Sequence, residues 1–340
     1  MKKKITIAID AMGGENAPKK NIEGLNIFLN KNKSNNDFII HLYGNKIILN
    51  KELSRLGISD NLVKVIHSDS VVSDEETPLT AIKNSKNTSM WNSVKSQIDG
   101  DTDITLSAGN TGALLVLSRL ILKMINSVEK PDLAGLWPNK VGMNIVLDLG
   151  ANIECNEKNL VDFSKMGAAL YKALYPTIEA KVALLNVGLE ENKGNDVVKN
   201  AYQILQKTNS EKFQFNGYIE GNHIMDGDSN VIVTDGFTGN VALKTAEGTA
   251  NFITKELKKS FTSNFFSKIS MLASYKSLKE FKKKLDPRNY NGAIFLGVNG
   301  SVVKSHGSID SIGFAQSINM CNKIVKGNLV GKIKANLDIK

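Results

Sequence analysis

The chain has 340 residues, 41% hydrophobic and 23% charged, which supplies enough apolar side chain for a full core and excludes a disordered protein. Net charge is +9, yet only Arg55, Arg119 and Arg288 of the 43 basic residues are arginine, which disfavours a surface reading nucleic acid through guanidinium forks. No window reaches the run of about eighteen uncharged apolar residues that a spanning helix needs, and two cysteines, Cys155 and Cys321, cannot build a disulfide framework.

Short apolar runs alternate with longer amphipathic stretches along the sequence. The basic start reaches an acid at Asp10 after a short apolar run, so it reads as a strand rather than a signal peptide, and a soluble cytoplasmic protein is expected. Strands are predicted at Ile5–Ile9, Phe38–Tyr43, Val63–His67, Asp103–Leu106, Asn144–Leu149, Val182–Val187, Val231–Thr234 and Ala293–Val298. Helices are predicted between them, among others at Thr111–Met124, Leu160–Leu174, Asp196–Lys207, Gly239–Lys258 and Ile309–Lys326. This alternation predicts a single α/β domain over residues 1–340, an α/β/α sandwich with a mostly parallel sheet and helices on both faces. Only residues 260–288 interrupt it.

The strand ends repeat one chemistry, glycine and asparagine beside small hydroxyls. They run into Asp10-Ala-Met-Gly13-Gly14-Glu15, Ser107-Ala-Gly109-Asn110-Thr111-Gly112, Asp148-Leu-Gly-Ala-Asn152, Gly188 to Gly194, Asp235-Gly-Phe-Thr-Gly-Asn240 and Lys304-Ser-His306-Gly307. Glycine lets backbone approach a ligand. Helix N-terminal N–H groups with Ser, Thr and Asn then make an anion pocket, beyond the carboxyl ends of the strands where open α/β sheets bind ligands. The expectation is a phosphate-sized anion site. Lys193, Lys244, Lys304 and His306 are the candidate cations near these loops, while Asp10, Asp148 and Asp235 cap turns or orient a lysine. Neither G-x-G-x-x-G after the first strand nor G-x-x-x-x-G-K-[ST] occurs, which disfavours a nicotinamide cofactor or ATP. His41, His67, His223 and His306 are scattered, and no H-E-x-x-H or G-x-S-x-G occurs, so neither a transition metal nor a covalent acyl-enzyme is expected.

Charge is concentrated between Lys255 and Arg288, which hold ten basic and three acidic residues. Phe261, Phe265, Ile269, Leu272, Tyr275, Leu278, Phe281 and Leu285 recur there at steps of three and four, one apolar stripe widened by Phe266 and Met271. Lys268, Lys276, Lys279 and Lys282 to Lys284 take the other faces. Such a helix can lie on an anionic membrane, dock an acidic protein, pair in a homodimer, or pack on a core with a solvated face.

Read together, the loops resemble the phosphate acyltransferase family, the acyl-acyl-carrier-protein:phosphate acyltransferases. The resemblance covers nearly the whole chain and rests on six ordered blocks: Asp10 to Gly14, Ser107 to Leu114, Leu147 to Asn152, Asn186 to Gly188 with Lys193-Gly194, Asp235 to Val241 with Leu243 to Gly248, and Val302 to Gly307. Two departures stand out: Glu15 replaces the family's usual Asp, and Glu220-Gly-Asn222-His223 replaces Glu-Gly-Arg-Asp. The fold group implied is that of phosphotransacetylases and isopropylmalate dehydrogenases. The activity implied is transfer of a long-chain acyl group from acyl carrier protein to inorganic phosphate, giving acyl phosphate for glycerol-3-phosphate acylation in phospholipid biosynthesis. Phosphate brings its own nucleophile, so catalysis rests on positioning and on donors for the tetrahedral oxyanion. On this basis Ser107, Gly109, Asn110, Thr111 and Gly112 are expected to hold phosphate, neutralised by Lys193 or Lys244. Asn152 and Asn240 are expected to donate to the oxyanion, and Lys304 or His306 to assist the leaving thiolate. Asp10, Gly13, Gly14, Asp148 and Asp235 would support the loops. Neither metal nor other cofactor is implied. The partners implied are acyl carrier protein, phosphate and a second copy in a homodimer, with contact to the inner membrane face or to a membrane-bound glycerol-3-phosphate acyltransferase, and no nucleic acid. The alternative is a phosphotransacetylase-type enzyme that uses acyl-CoA. A decarboxylating dehydrogenase on the same sheet is a third reading, and it would make NADH.

Overall fold

Aliphatic residues in most predicted strands carry apolar side chains to two faces, and the computed structural model sets them into one sheet. It describes residues 4–338 apart from 34–36, 60, 74, 209–210, 264–266, 268–269 and 271–273. Eleven strands are paired: β1 (Ile5–Asp10), β2 (Phe38–Gly44), β3 (Val63–His67), β4 (Ile104–Ser107), β5 (Asp132–Pro138), β6 (Met143–Leu147), β7 (Lys181–Asn186), β8 (Gln214–Glu220), β9 (Val231–Val233), β10 (Ala293–Leu296) and β11 (Val302–Lys304). Their order is β3-β2-β1-β4-β11-β10-β5-β6-β9-β7-β8. The expected mostly parallel sheet with helices on both faces is present.

Side-chain alternation assigns each face its own core. Ile145, Leu147, Val231, Val233, Ile294 and Leu296 point into the main core. The helices Lys19–Lys31, Glu157–Leu174, Asp196–Lys207, Ser311–Lys326 and Leu329–Asn336 cover that core. On the other face, Phe295 and Val302 meet the helices Pro78–Asn84, Ser89–Ile98 and Thr111–Leu122. Val146, Ala183 and Ile232 form a smaller cluster with Trp137, Leu149, Ile219 and Ile224, onto which Ala242, Leu243 and Ala246 of the helix Gly236–Thr262 pack. Truncating a fully buried aromatic such as Phe314 to Ala would cost about 3–5 kcal/mol.

Strand direction decides where the loops go. β3, β2, β1, β4 and β11 run parallel, as do β6, β9, β7 and β8. Between the groups, β11–β10, β10–β5 and β5–β6 are antiparallel. Three reversals leave the two parallel groups pointing opposite ways. Their carboxyl ends, and the loops expected to form one site, therefore open on opposite edges of the sheet. In the basic segment, the helix from Gly236 extends through Thr262 and a second helix spans Tyr275–Leu285, with Tyr275 and Phe281 exposed. Of the predicted stripe, Phe265, Phe266, Ile269, Met271 and Leu272 lie outside the described residues.

Candidate active site

The first edge gathers three loops. Parallel register aligns Asp10 with Ser107 and Ser107 with Lys304 at the ends of β1, β4 and β11. The buried Ser107 hydroxyl donates to Asp10 Oδ2 at 2.7 Å and accepts from the Gly109 N–H at 3.0 Å. Burial pushes the Asp10 carboxyl up, opposed by hydrogen bonds from Ser89, Ser107 and the loop N–H groups of Met12 and Gly13. Gly14 has φ +89°, and a Cβ there would lie 2.9 Å from the Ala108 carbonyl oxygen and 3.2 Å from that of Gly307. Only glycine lets the three backbones meet so closely.

Two lysines are buried at this edge. Lys304 donates from Nζ to the carbonyls of Ser305 and Ala108, tying the β11 turn to the β4 loop. Lys20 donates to the Gly307 carbonyl at 2.6 Å, while Asn21 beside it donates to the carbonyls of Ala11 and Gly13. Asn291 accepts from the His306 N–H at 3.0 Å and donates to Ser305 Oγ at 2.8 Å. Lys20, Asn21 and Asn291 were not singled out by sequence pattern, because each lies outside the glycine loops it braces, and the partner of Lys20 is 287 residues away.

His306 is exposed to solvent, though neighbouring groups cover part of its ring. Its Nδ1 accepts from the Ser308 N–H at 3.3 Å, which leaves the proton on Nε2. Burial holds its pKa below the usual histidine range, reinforced by Lys304 and Lys244 and opposed by Glu247 and Glu15. Lys244, paired with Glu247 at 2.8 Å, thus belongs electrostatically to this edge. Asn110 caps the Thr111–Leu122 helix by accepting from the Ala113 N–H at 3.0 Å and donates to the Glu76 carbonyl at 2.9 Å. Thr111 is exposed in the first turn beside Gly112, where helix N–H groups lack intrahelical partners.

The second edge holds the other expected residues. Asp148 accepts from the N–H groups of Leu133, Gly150, Ala151 and Asn152 and from Asn152 Nδ2. The Asn152 amide also donates to the Pro131 carbonyl at 2.7 Å, so both its hydrogens are engaged. Asp235 caps the Gly236–Thr262 helix through Thr238, and the Gly236 N–H donates to the Asn152 carbonyl at 2.8 Å. A Cβ on Gly239 would collide with the Asp148 carbonyl. Asn240 and Lys193 are exposed. Burial pushes the Cys155 thiol up to about 11, with the Asp148 charge adding to the effect, so it is a poor nucleophile. The structure thus brings Asp10, Gly13, Gly14, Ser107, Gly109, Asn110, Thr111, Gly112, Lys244, Lys304 and His306 to one edge. Asp148, Asn152, Lys193, Asp235 and Asn240 stand at the other.

A long α/β/α sheet with glycine loops meeting at strand ends defines a fold class shared with the phosphotransacetylases. The EutD phosphotransacetylase from Staphylococcus aureus superposes with a TM-score of 0.63 at 12% identity, covering 96% of this chain and 94% of that one. A phosphotransacetylase from Streptococcus pyogenes gives 0.63 at 15% identity, covering 97% and 95%. The 4-hydroxythreonine-4-phosphate dehydrogenase from Klebsiella pneumoniae gives 0.55 at 12%, covering 95% and 100%. Fold alone therefore does not choose the chemistry. Sequence does. The family model described as "Fatty acid synthesis protein" matches residues 5–332. The phosphate acyltransferase of Pelagibacter ubique (strain HTCC1062) is 54% identical, over 99% of this chain and all of that protein. That of Maricaulis maris (strain MCS10) is 38% identical, over 98% and 95%. The chain belongs to the phosphate acyltransferase family and is an acyltransferase.

Proposed function

We propose that the enzyme transfers a long-chain acyl group from acyl carrier protein to inorganic phosphate, releasing acyl phosphate for glycerol-3-phosphate acylation. The observation that carries this is the meeting of the Asp10–Gly14, Ser107–Gly112 and Lys304–Gly307 segments beside a neutral His306 and Lys244. Phosphate binds at the exposed start of the Thr111–Leu122 helix, on N–H groups that its dipole favours for anions. Asn110 shapes that helix start and Ser107 holds the loop from beneath, since both side chains are engaged internally. Lys244 supplies positive charge.

Phosphate oxygen attacks the thioester carbonyl, a C–O bond forms and the C–S bond breaks. The hydrogen phosphate proton finishes on the released thiol, so no acyl-enzyme is needed. His306 Nε2–H faces the leaving sulfur as a hydrogen-bond donor. Asn240 precedes Lys244 by one helical turn on the same face of the Gly236–Thr262 helix, and from its place beside Gly150 at the second edge it supports the helix start rather than the oxyanion. Asn152, with its amide spent, supports that helix start, and Lys193 remains a cation of the second edge. Exposed apolar residues on the same helix pair with a second copy, and the basic Lys255–Arg288 segment meets an anionic membrane surface.

Palmitoyl-acyl carrier protein is incubated with labelled phosphate and the product trapped with hydroxylamine. Phosphate-dependent release of free carrier protein with trapped product is expected. Product with acyl-CoA alone would move the enzyme to the phosphotransacetylase type, and silence with both donors would overturn the proposal.

A further inference from the structure

We propose that Lys20 is a positioning residue, clasping the turn that carries His306 to the first glycine loop. The inference rests on the function proposed above and adds a residue that no loop motif contains. Burying an ammonium is costly unless its donors are satisfied. Lys20 is only 7% exposed and spends a donor on the Gly307 carbonyl. That carbonyl also accepts from the Glu15 N–H at 3.1 Å. One oxygen is thus held from two sides, by a helix side chain and by the glycine loop.

His306 lies between two anchors. Its own N–H is fixed by Asn291, and the carbonyl of the next residue by Lys20 and Glu15. The peptide before His306 and the one after Gly307 are both held, so the turn that carries the ring is fixed, and Ser308, donating to Nδ1, orients the ring and fixes which nitrogen carries the proton. Asn21 extends the clasp, since its amide bridges the carbonyls of Ala11 and Gly13 at 3.0 Å each. The first turn of the Lys19–Lys31 helix therefore aligns the loop after β1 with the turn after β11. Lys20 does this without touching substrate.

The test compares wild type with Lys20→Met, Lys20→Arg and Lys20→Gln by histidine NMR and by steady-state kinetics with acyl donor and phosphate. His306 signals are assigned from the spectrum of His306→Gln. In Lys20→Met, the His306 signal should move while those of His41, His67 and His223 stay. Turnover should fall by about tenfold or more, because small misplacements of a positioned group cost up to about a hundredfold. Lys20→Arg, which keeps donors, should recover most of it. If Lys20→Met does not fold, Lys20→Gln is read in the same way. An unmoved His306 signal overturns the clasp. A moved signal with kcat within about twofold of wild type overturns the positioning role. Absence of turnover by wild type with either donor would instead sink the proposed function, and the NMR comparison would still decide the clasp.

Discussion

Asp132 and Asp148 show how differently two adjacent buried carboxyls can be treated. Asp148 is surrounded by the donors of its own loop, and although burial raises its pKa, those donors pull it back. Neither oxygen of Asp132 has a hydrogen-bond partner among the described residues. Burial, with the Asp148 charge adding to it, holds Asp132 well above the usual carboxylate range. A raised acid binds its proton more tightly folded than unfolded, so stability falls as pH climbs from the unfolded value through the folded one. Asp132→Asn removes that dependence. Its melting temperature relative to wild type should therefore be higher at pH 8 than at pH 5. A difference that stays constant across that range would show that Asp132 is not held neutral by its surroundings. Sequence pattern missed this residue because Asp132 opens a strand that itself was not predicted.

Strands with uninterrupted aliphatic runs were legible, and β1, β2, β3, β6, β7, β9 and β10 lie within a few residues of their expected places. The missed strands explain themselves physically. β5 holds Gly135 and ends on Pro138, β8 is polar around Gly217, and β11 is three residues inside a Gly-Ser stretch. Two of the three have consequences for the site. β5, with β10 between it and β11, makes the reversals that turn the second parallel group over, so without β5 and β11 in view loops of similar composition reached opposite edges. Pattern could find the loops and not their edge. The Gly236–Thr262 helix partly restores the link, because it starts at the Asp148 edge and brings Lys244 and Glu247 to His306. Removing the positive charge in Lys244→Gln should raise the His306 pKa, since a cation disfavours imidazolium and its loss also frees Glu247. Glu247→Gln should lower it. An NMR titration of His306 in the two variants checks both signs, and a shift of the same sign in both would mean that the helix does not reach the site.

Across the whole molecule, coverage of the sheet is uneven. Among the described residues, six helices, counting Lys46–Arg55 through Leu49 and Leu53, close one face and three cover the first half of the other, while the opening turns of the Gly236–Thr262 helix are what covers the second half. Beyond those turns the helix is exposed, with Phe252 at 66% and Ile253 at 43%. Among the described residues no helix is long and apolar enough to cross a membrane. On the function proposed above, these exposed apolar residues are the surface a partner covers. The basic helix Tyr275–Leu285 follows it, and the proposed function gives the first to a second copy and the second to an anionic surface. Phe252→Glu should then lower the mass measured by sedimentation to that of one chain while leaving binding to anionic vesicles in place. Phe281→Glu should do the reverse, weakening vesicle binding without changing the mass. If Phe252→Glu stays at the wild-type mass, the helix face is not where copies meet. If both variants lose vesicle binding together, the exposed helix and the basic helix form one membrane-facing unit.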